Sequence, residues 1–349
     1  MNNKLIYQFS PSNTEGDKSM TDLLGGKGAN LAEMSLLGIN VPPGFTVTTE
    51  VCNYFMKHGN VPDNLDEELK QSLKNLEMTT NKIFDSDKKP LLLSVRSGGK
   101  ISMPGMMDSI LNIGINDKNL ESLSSDFNDE RFALDSYRRL IQMYGNVVLN
   151  IEMDRFEAIL DNKKRIDGVE NDNEFNPDQL RWIIDAFKTT IERFSKKSFP
   201  QDPNIQLNGA IEAVFKSWSN KRAVTYRKIN NIPDEWGTAA NVQSMVFGNL
   251  NEKSGTGVAF TRFPSTGKNK LYGEYLMNAQ GEDVVAGIRT PFPIGMHEKN
   301  TQPSLEEVNS ALYKEIKDIA DKLEMHYKDV QDIEFTIEDS VVYLSLIHI

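Results

Sequence analysis

The pattern of apolar residues changes character along the chain, and this change limits the folds that the sequence can adopt. Residues 20–50 have the composition of a Gly-rich turn, a helix and a short strand. Residues 116–199 are charged and poor in Gly, and their apolar residues recur at helical spacing. Beyond residue 241, short runs of β-branched and aromatic residues predict strands again. The sequence therefore predicts an α+β fold with sheets flanked by helices and with a helical insertion.

Local signals mark the ends of two predicted helices. The turn at residues 25–28 is predicted to open a helix that ends at Gly38, because Gly tolerates the left-handed backbone of a helix C-terminus. Ser304 and Glu307 have the spacing of a capping box, in which each side chain bonds the backbone of the other residue. The apolar residues that this second helix is predicted to turn inward are Val308, Leu312, Ile316, Ile319 and Leu323.

Bulk composition argues against several classes of protein. With 349 residues, 39% of them hydrophobic and 26% charged, the chain is predicted to be a globular protein of two or three domains. We expect no membrane partner, because no apolar run approaches the roughly 20 residues that span a bilayer. Cys52 is the only cysteine, so an intrachain disulfide is excluded and the cytoplasm is the expected compartment. A formal net charge of −11 argues against nucleic acid as a partner, and four histidines without ligand spacing argue against zinc.

Two stretches place a cation among glycines, a pattern that can bind phosphate. Lys27 lies within the first, where free backbone N–H groups at a helix start favour an anion. The second covers residues 94–108, with Arg96 expected at the end of a strand and a loop rich in Gly and Ser beyond it. Neither stretch has the spacing of a Walker A loop. Gly-rich turns with solvated cations are a common alternative explanation for each.

A candidate metal site lies in a predicted strand at residues 332–337. Strand alternation puts the apolar residues of this segment on the core face, and Asp332 and Glu334 on the other face, about 7 Å apart. Two carboxylates so placed suit a hard cation such as Mg²⁺ held jointly with nucleotide phosphates. On spacing alone, carboxylates that merely face water are the better explanation. A third stretch, at residues 273–283, contains apolar and amide residues that could line an adenine pocket, with Glu274 or Glu282 turned to ribose or metal.

Taken together, these stretches resemble the pyruvate, phosphate dikinase family. The matching segments are residues 23–34, 41–45, 94–108, 135–145, 255–262 and 278–291. They follow one another in order over almost the whole chain, which makes the resemblance far more specific than any single loop. The string Met103-Pro104-Gly105-Met106-Met107-Asp108 favours the dikinase over the related phosphoenolpyruvate synthase, which uses water as its second acceptor.

The resemblance implies an ATP-grasp fold, in which two α+β lobes clamp a nucleotide. In that family ATP gives its β-phosphoryl group to a histidine on a swivelling domain, inorganic phosphate takes the γ-phosphoryl group, and pyruvate on a C-terminal barrel is the final acceptor. The implied partners are therefore ATP, inorganic phosphate and those two further domains, with Mg²⁺ as cofactor; the oligomeric state is left open. The implied domains are a first lobe at residues 1–115 and 200–247, a helical insert at 116–199 and a second lobe at 248–349.

The resemblance also assigns site residues. Lys27 and Arg96 match the catalytic cations that hold the polyphosphate and neutralise charge during transfer. Glu334, together with Asp332, matches the acidic Mg²⁺ site. The other implied nucleotide-binding residues are Gly98, Gly99, Lys100, Ser102, Met103, Gly105, Glu274, Gln280 and Glu282.

Two departures from the family pattern affect what is expected of the chain. Gly99 and Lys100 stand where the family usually has Ala-Arg, which keeps the charge but loses bidentate phosphate binding. The last strand of the family ends in Leu-Gln-Thr-Arg, whereas residues 345–348 are Ser-Leu-Ile-His here. We therefore expect a sequence truncated or altered at this end, without the phosphohistidine motif and the barrel. A nucleotide-binding module without catalysis of its own is the alternative function, and a helical scaffold with Gly-rich loops is a more remote one.

Overall fold

The computed structural model describes residues 4–281, 290–296 and 302–348, and the chain divides into two compact units. The first unit comprises Met1–Gln8, Met20–Gly28 and Pro43–Met245. The second unit comprises Phe9–Ser19, Ala29–Pro42 and Val246–Ile349. Each unit contains one sheet packed with helices, so the predicted α+β class is confirmed. The finer division into two lobes and an insert stays a prediction.

The described residues form the following helices and strands. The helices are α1 (Thr21–Leu36), α2 (Thr49–His58), α3 (Leu65–Thr80), α4 (Leu120–Phe127), α5 (Glu130–Val147), α6 (Met153–Asp167), α7 (Pro177–Ser195), α8 (Pro203–Ser217), α9 (Lys221–Asn230), α10 (Leu305–Val308) and α11 (Ser310–Tyr327). The strands are β1 (Ile6–Phe9), β2 (Gly44–Val47), β3 (Leu93–Gly99), β4 (Ser109–Ile113), β5 (Thr238–Ser244), β6 (Gly255–Phe260), β7 (Tyr272–Met277), β8 (Phe292–Pro293), β9 (Asp332–Glu338) and β10 (Val341–His348). Among the helices of the described ranges, none is long and apolar enough to cross a membrane.

The first sheet has the strand order β1-β2-β5-β3-β4. Its central strand β5 pairs antiparallel with β2 on one side and with β3 on the other. Helix α8 packs against β3, β4 and β5, and α2 packs against β5. Every residue of β5 is buried. This burial applies equally to the polar residues of β5, among them Asn241 and Gln243, which therefore need partners inside the protein.

Several helices between β4 and β5 pack against one another. Helix α5 packs against α4 and α7, and α6 packs against α7. The Phe156 and Phe187 rings meet edge to face with their centroids 5.0 Å apart. Within α5 the Asp135 carboxylate is buried, and it accepts hydrogen bonds from Arg138 Nε at 2.7 Å and from Arg139 Nε at 3.0 Å. The predicted helical character of residues 116–199 is therefore confirmed.

The second sheet has the order β10-β9-β6-β7-β8, and its neighbouring strands are antiparallel. Ile333, Phe335 and Ile337 of β9 are fully buried in a core that also contains residues of α11. The side chains of Asp332 and Glu334 point to the other face and are half-buried. The predicted alternation along this strand is confirmed, because a strand sends successive side chains to opposite faces.

The predicted capping box is present, but the helix that it opens is short. Ser304 caps α10, and both reciprocal bonds with Glu307 form. The helix ends at Val308, and Asn309 caps the next helix by accepting a hydrogen bond from Leu312 N at 3.1 Å. The prediction that Val308 turns inward is wrong, because this break interrupts the 3.6-residue period and leaves the side chain 58% exposed.

Candidate functional site

The two Gly-rich segments predicted to bind phosphate meet in the first unit. Gly25 has φ +67°, a left-handed torsion inside α1, and a Cβ atom added there would overlap the carbonyl oxygen of Gly98. A Cβ atom on Gly26 would lie 3.2 Å from the carbonyl oxygen of Lys100. At Gly25 only glycine allows this approach, since any larger residue carries a Cβ atom into the backbone of Gly98, whereas the contact at Gly26 is tight. Gly25 therefore separates a first turn, which begins at Thr21, from the helix that continues to Leu36, and the prediction that residues 25–28 open a helix is confirmed.

Arg96 lies in the middle of a strand and not at its end, which corrects the sequence-based expectation. Strand β3 begins at Leu93 and continues to Gly99 because its last residues pair with β5, Gly98 opposite Ala239 and Gly99 opposite Thr238. Arg96 itself is paired with Ser109 on β4 and with Asn241 on β5. The alternation of apolar residues could not predict that the strand continues to Gly99, because glycine has a low strand propensity.

Lys27 lies over the face of the sheet that carries Arg96. Thr46 on β2 and Arg96 on β3 both pair with Asn241 on β5, so these side chains form a row on one face. Gly28 packs on that row, since a Cβ atom there would lie 2.7 Å from Thr46 Oγ1. A Cβ atom added to Gly98 would lie 3.6 Å from the Cβ atom of Lys27. Gly98 is two residues from Arg96 on the same strand, so both face the same side of the sheet. The structure thus places the segments that carry Lys27 and Arg96, which the sequence identified separately, in contact with each other.

The loop between β3 and β4 begins with Lys100. The ammonium group of Lys100 forms an ion pair with the carboxylate of Asp22, in the first turn of α1. The same ammonium group lies 4.6 Å from the centroid of the Trp236 ring, within range of a cation–π interaction. The cation that departs from the family pattern is therefore held by two partners in this state.

Methionines anchor the rest of this loop. Met103 is buried against Trp218 and Ile232, and the neighbouring Met106 and Met107 pack partly against the same cluster. Ser102 and Gly105 are exposed, and Gly105 has φ +69°. The sequence predicted a loop that can move, but it did not predict this apolar anchor; the signal available was the Met-rich string itself.

In the second unit, the acidic candidates share one face of the sheet. Glu334 on β9 lies opposite Val258 on β6, and Val258 lies opposite Glu274 on β7. Cross-strand partners point to the same face, so Glu274 and Glu334 lie in one row across three strands. Gln280 is buried and donates from Nε2 to Asn249 Oδ1 at 3.2 Å. Glu282, the remaining acidic candidate, lies outside the described residues.

Donor chemistry decides whether Asp332 and Glu334 fit a metal. Both supply carboxylate oxygens on the half-buried face of β9. Within the described ranges, no group of three or more His, Cys, Asp or Glu side chains is arranged to hold a metal ion. Two carboxylates nevertheless suit a hard divalent cation, which commonly takes its other ligands from water and substrate phosphates. The residues therefore fit a metal that arrives with a nucleotide better than a metal held by protein alone.

Asn241 is the residue near this site that sequence reasoning missed. It is 1% exposed and lies between Arg96 and Thr46 in the row described above. The available signal was an amide inside an otherwise strand-forming segment, but a polar residue in a strand ordinarily faces water. Its burial beneath Gly28 and Gly98 depends on contacts between distant parts of the chain.

The family model and the relatives that match this chain all carry the name of the same enzyme. The sequence model described as "Pyruvate phosphate dikinase, AMP/ATP-binding domain" matches residues 21–86 and 73–312. The chain is 52% identical over 342 residues to pyruvate, phosphate dikinase of Rickettsia conorii, and 50% identical over 342 residues to that of Clostridium symbiosum. It is 47% identical over 345 residues to the chloroplastic enzyme of Mesembryanthemum crystallinum.

These matches cover nearly all of this chain but only part of each relative. They cover 98%, 97% and 98% of this chain, but only 38%, 38% and 35% of the three relatives in the same order. The chain thus spans well under half the length of the relatives, and the sequence model matches most of it. Because the sequence model covers most of the chain and the relatives are about 50% identical over nearly all of it, the chain belongs to the pyruvate phosphate dikinase AMP/ATP-binding domain family.

Proposed function

We propose that this chain is the MgATP-binding, phosphoryl-donor part of a pyruvate, phosphate dikinase. The observation that carries the proposal is the packing of residues 25–28 on β3, which sets Lys27 over the sheet face that carries Arg96. Two cations on one face can bind a polyphosphate and neutralise the charge that shifts between its oxygens during transfer. We assign Lys27 and Arg96 this catalytic role.

The loop that follows β3 is proposed to cover the phosphates. Its small residues let backbone N–H groups approach an anion closely, as in other Gly-rich phosphate sites. Lys100 would add a third cation once it leaves Asp22. The residues proposed for this cover are Gly98, Gly99, Lys100, Ser102, Met103 and Gly105.

The acidic face of the second unit is proposed to hold the metal and the nucleoside. Asp332 and Glu334 would hold Mg²⁺ through their carboxylate oxygens, on the donor chemistry given above. When bound, the metal supplies positive charge shared between phosphate oxygens. Glu274, Gln280 and Glu282 are proposed to contact the nucleoside; the shared row of Glu274 and Glu334 supports the first of these.

The complete reaction is a proposal drawn from the names of the relatives and the resemblance. ATP, inorganic phosphate and pyruvate would give AMP, diphosphate and phosphoenolpyruvate by way of a phosphohistidine. The chain would act together with a histidine-bearing domain and a pyruvate-binding barrel. We also propose a cytoplasmic location, where a protein with one buried cysteine needs no oxidising environment.

Calorimetric titration with MgATP tests the nucleotide site. We expect the wild-type chain to bind and Arg96→Ala to bind at least about tenfold more weakly, which is ~1.4 kcal/mol. Arg155→Ala is the matched control, because Arg155 is an exposed cation on α6, outside the proposed site. Arg96→Ala binding as tightly as the wild type would contradict the role of Arg96.

A second arm separates a phosphoryl donor from a module that only binds nucleotide. The chain is incubated with MgATP and a separately produced histidine domain of a dikinase, and phosphohistidine is measured. Transfer to the histidine supports the donor function. Tight MgATP binding without any transfer would instead support the binding-only alternative. A folded wild-type chain that does not bind MgATP would overturn both.

A further inference from the structure

Asn241 lies at the centre of the first sheet, between the strands that carry Arg96 and Thr46. It is paired with both residues, so the three side chains share one face. The Asn241 side chain is buried, at 1% exposure, under the turn of α1 that carries Lys27. A residue in this place acts on a ligand only through the groups that cover it.

Two glycines cover the Asn241 amide from different segments. A Cβ atom on Gly28 would lie 2.8 Å from Oδ1, and a Cβ atom on Gly98 would lie 2.5 Å from Nδ2. Real Cβ atoms essentially never approach another atom within 3.0 Å. The amide is therefore in close contact with both the Lys27 turn and the strand that carries Arg96.

Of the two polar atoms of the Asn241 amide, only the oxygen has a hydrogen-bond partner among the described residues. Thr46 Oγ1 donates to Oδ1 at 2.8 Å, which fixes the orientation of the amide plane. Among the residues that the structure describes, Nδ2 has no hydrogen-bond partner. A buried N–H without an acceptor destabilises a fold, and an apolar side chain of similar size would avoid that loss. Such exceptions are expected where function, and not stability, selects the residue.

From these contacts we propose that Asn241 is a positioning residue of the phosphate site, and that it sets the spacing between Lys27 and Arg96. This inference rests on the proposed function. The amide is held by Thr46 and clamped between Gly28 and Gly98, so it fixes the height of the Lys27 turn above β3. A polyphosphate then meets both cations without rearrangement, whereas a shift of the turn would lower affinity.

A size swap between Asn241 and Gly98 tests the proposal. The only atom closer than 3.6 Å to a Cβ atom on Gly98 is Asn241 Nδ2, so Gly98→Ala clashes with the amide alone. Asn241→Ala leaves a void, and the double variant puts the new methyl group of residue 98 beside that void. We expect each single variant to bind MgATP at least about fivefold more weakly, and the double variant to return to within about twofold of the wild type.

Thermal midpoints without nucleotide show whether a variant acts through stability alone. A purely structural role would move the midpoint and leave the MgATP dissociation constant unchanged, and that result would overturn the proposal. A double variant that binds no better than the weaker single variant would overturn it as well. If Asn241→Ala does not fold, Asn241→Ser, which keeps a hydroxyl for Thr46, carries the same expectation. Failure of the wild type to bind MgATP is a different outcome: it refutes the proposed function, and the positioning role with it.

Discussion

The backbone of Gly25 lies so close to the carbonyl group of Gly98 that no side chain fits between the two residues. This contact joins the kink of α1 to the end of β3, and it brings together two Gly-rich segments that are distant in sequence. The left-handed torsion of Gly25 lets the helical chain approach the strand at this point. Glycine is required here for steric reasons, and not for flexibility.

Gly25→Ala is expected to destabilise the chain by at least about 3 kcal/mol, because a backbone overlap is added to an unfavourable torsion. Gly59→Ala is the matched control: Gly59 also has positive φ, at +78°, but nothing lies within 4 Å of its Cβ position. Gly59→Ala should lower the free energy of unfolding by only about 1 kcal/mol. Urea unfolding measures both. An equal loss of unfolding free energy in the two variants would show that the contact with Gly98 contributes nothing to stability.

The buried carboxylate of Asp135 should make stability depend on pH. Burial alone would raise the pKa of Asp135, but the charges of Arg138 and Arg139 outweigh burial and hold the pKa well below the ordinary 3.8. A depressed folded-state pKa stabilises the protein fully above that ordinary value, and the stabilisation is lost as pH falls below it toward the folded-state pKa.

Asp135→Asn tests this ion pair. At pH 7 the variant should be about 3 kcal/mol less stable, because it removes the nearest negative charge from the buried Arg138, whose other carboxylate partner, Asp172, lies 3.7 Å away. The difference in unfolding free energy between the variant and the wild type should become smaller once the pH falls below about 4. Urea unfolding of both proteins across this pH range gives the comparison. A difference that stays constant down to the lowest pH at which both fold would contradict an ionised Asp135.

Cys52 should be unreactive while the protein is folded. Burial raises its pKa from 9.0 to about 11, and the Thr238 backbone and the charge of Arg227 only partly offset this effect. At pH 8 the thiolate, which is the reactive form, is then about a hundredfold scarcer than in the unfolded chain. A disulfide reagent should therefore label the native protein at least about a hundredfold more slowly than the urea-unfolded protein. Similar rates in both states would show that the thiol is accessible.

Binding of MgATP should change tryptophan fluorescence. If Lys100 moves to the phosphates, its ammonium group leaves the Trp236 ring, from which it is now 4.6 Å away. Trp236→Phe should abolish most of the change. Trp182→Phe is the control and should keep it, because Trp182 has a lysine at a similar distance, 5.0 Å, but lies on α7. A change that survives in Trp236→Phe would mean that Lys100 does not move.

Features that depend on near neighbours in the chain could be predicted from the sequence. Gly38 ends α1 with φ +68°, and Ser304 and Glu307 form their capping box. The alternation of β9 puts Asp332 and Glu334 on one face. Each of these follows from sterics or hydrogen bonds within a turn of helix or a single strand, so the residues involved are adjacent in the sequence.

Tertiary structure decided the features that depend on distant partners. Arg96 lies inside a strand because β5 pairs with the glycines that follow it, and Val308 is exposed because Asn309 starts a new helix. Asn241 could not be found in advance, because its burial requires two glycines from segments on either side of β2 in the sequence. Strand pairing and backbone contact bring together residues that no local period relates, and only the folded chain fixes which of them meet.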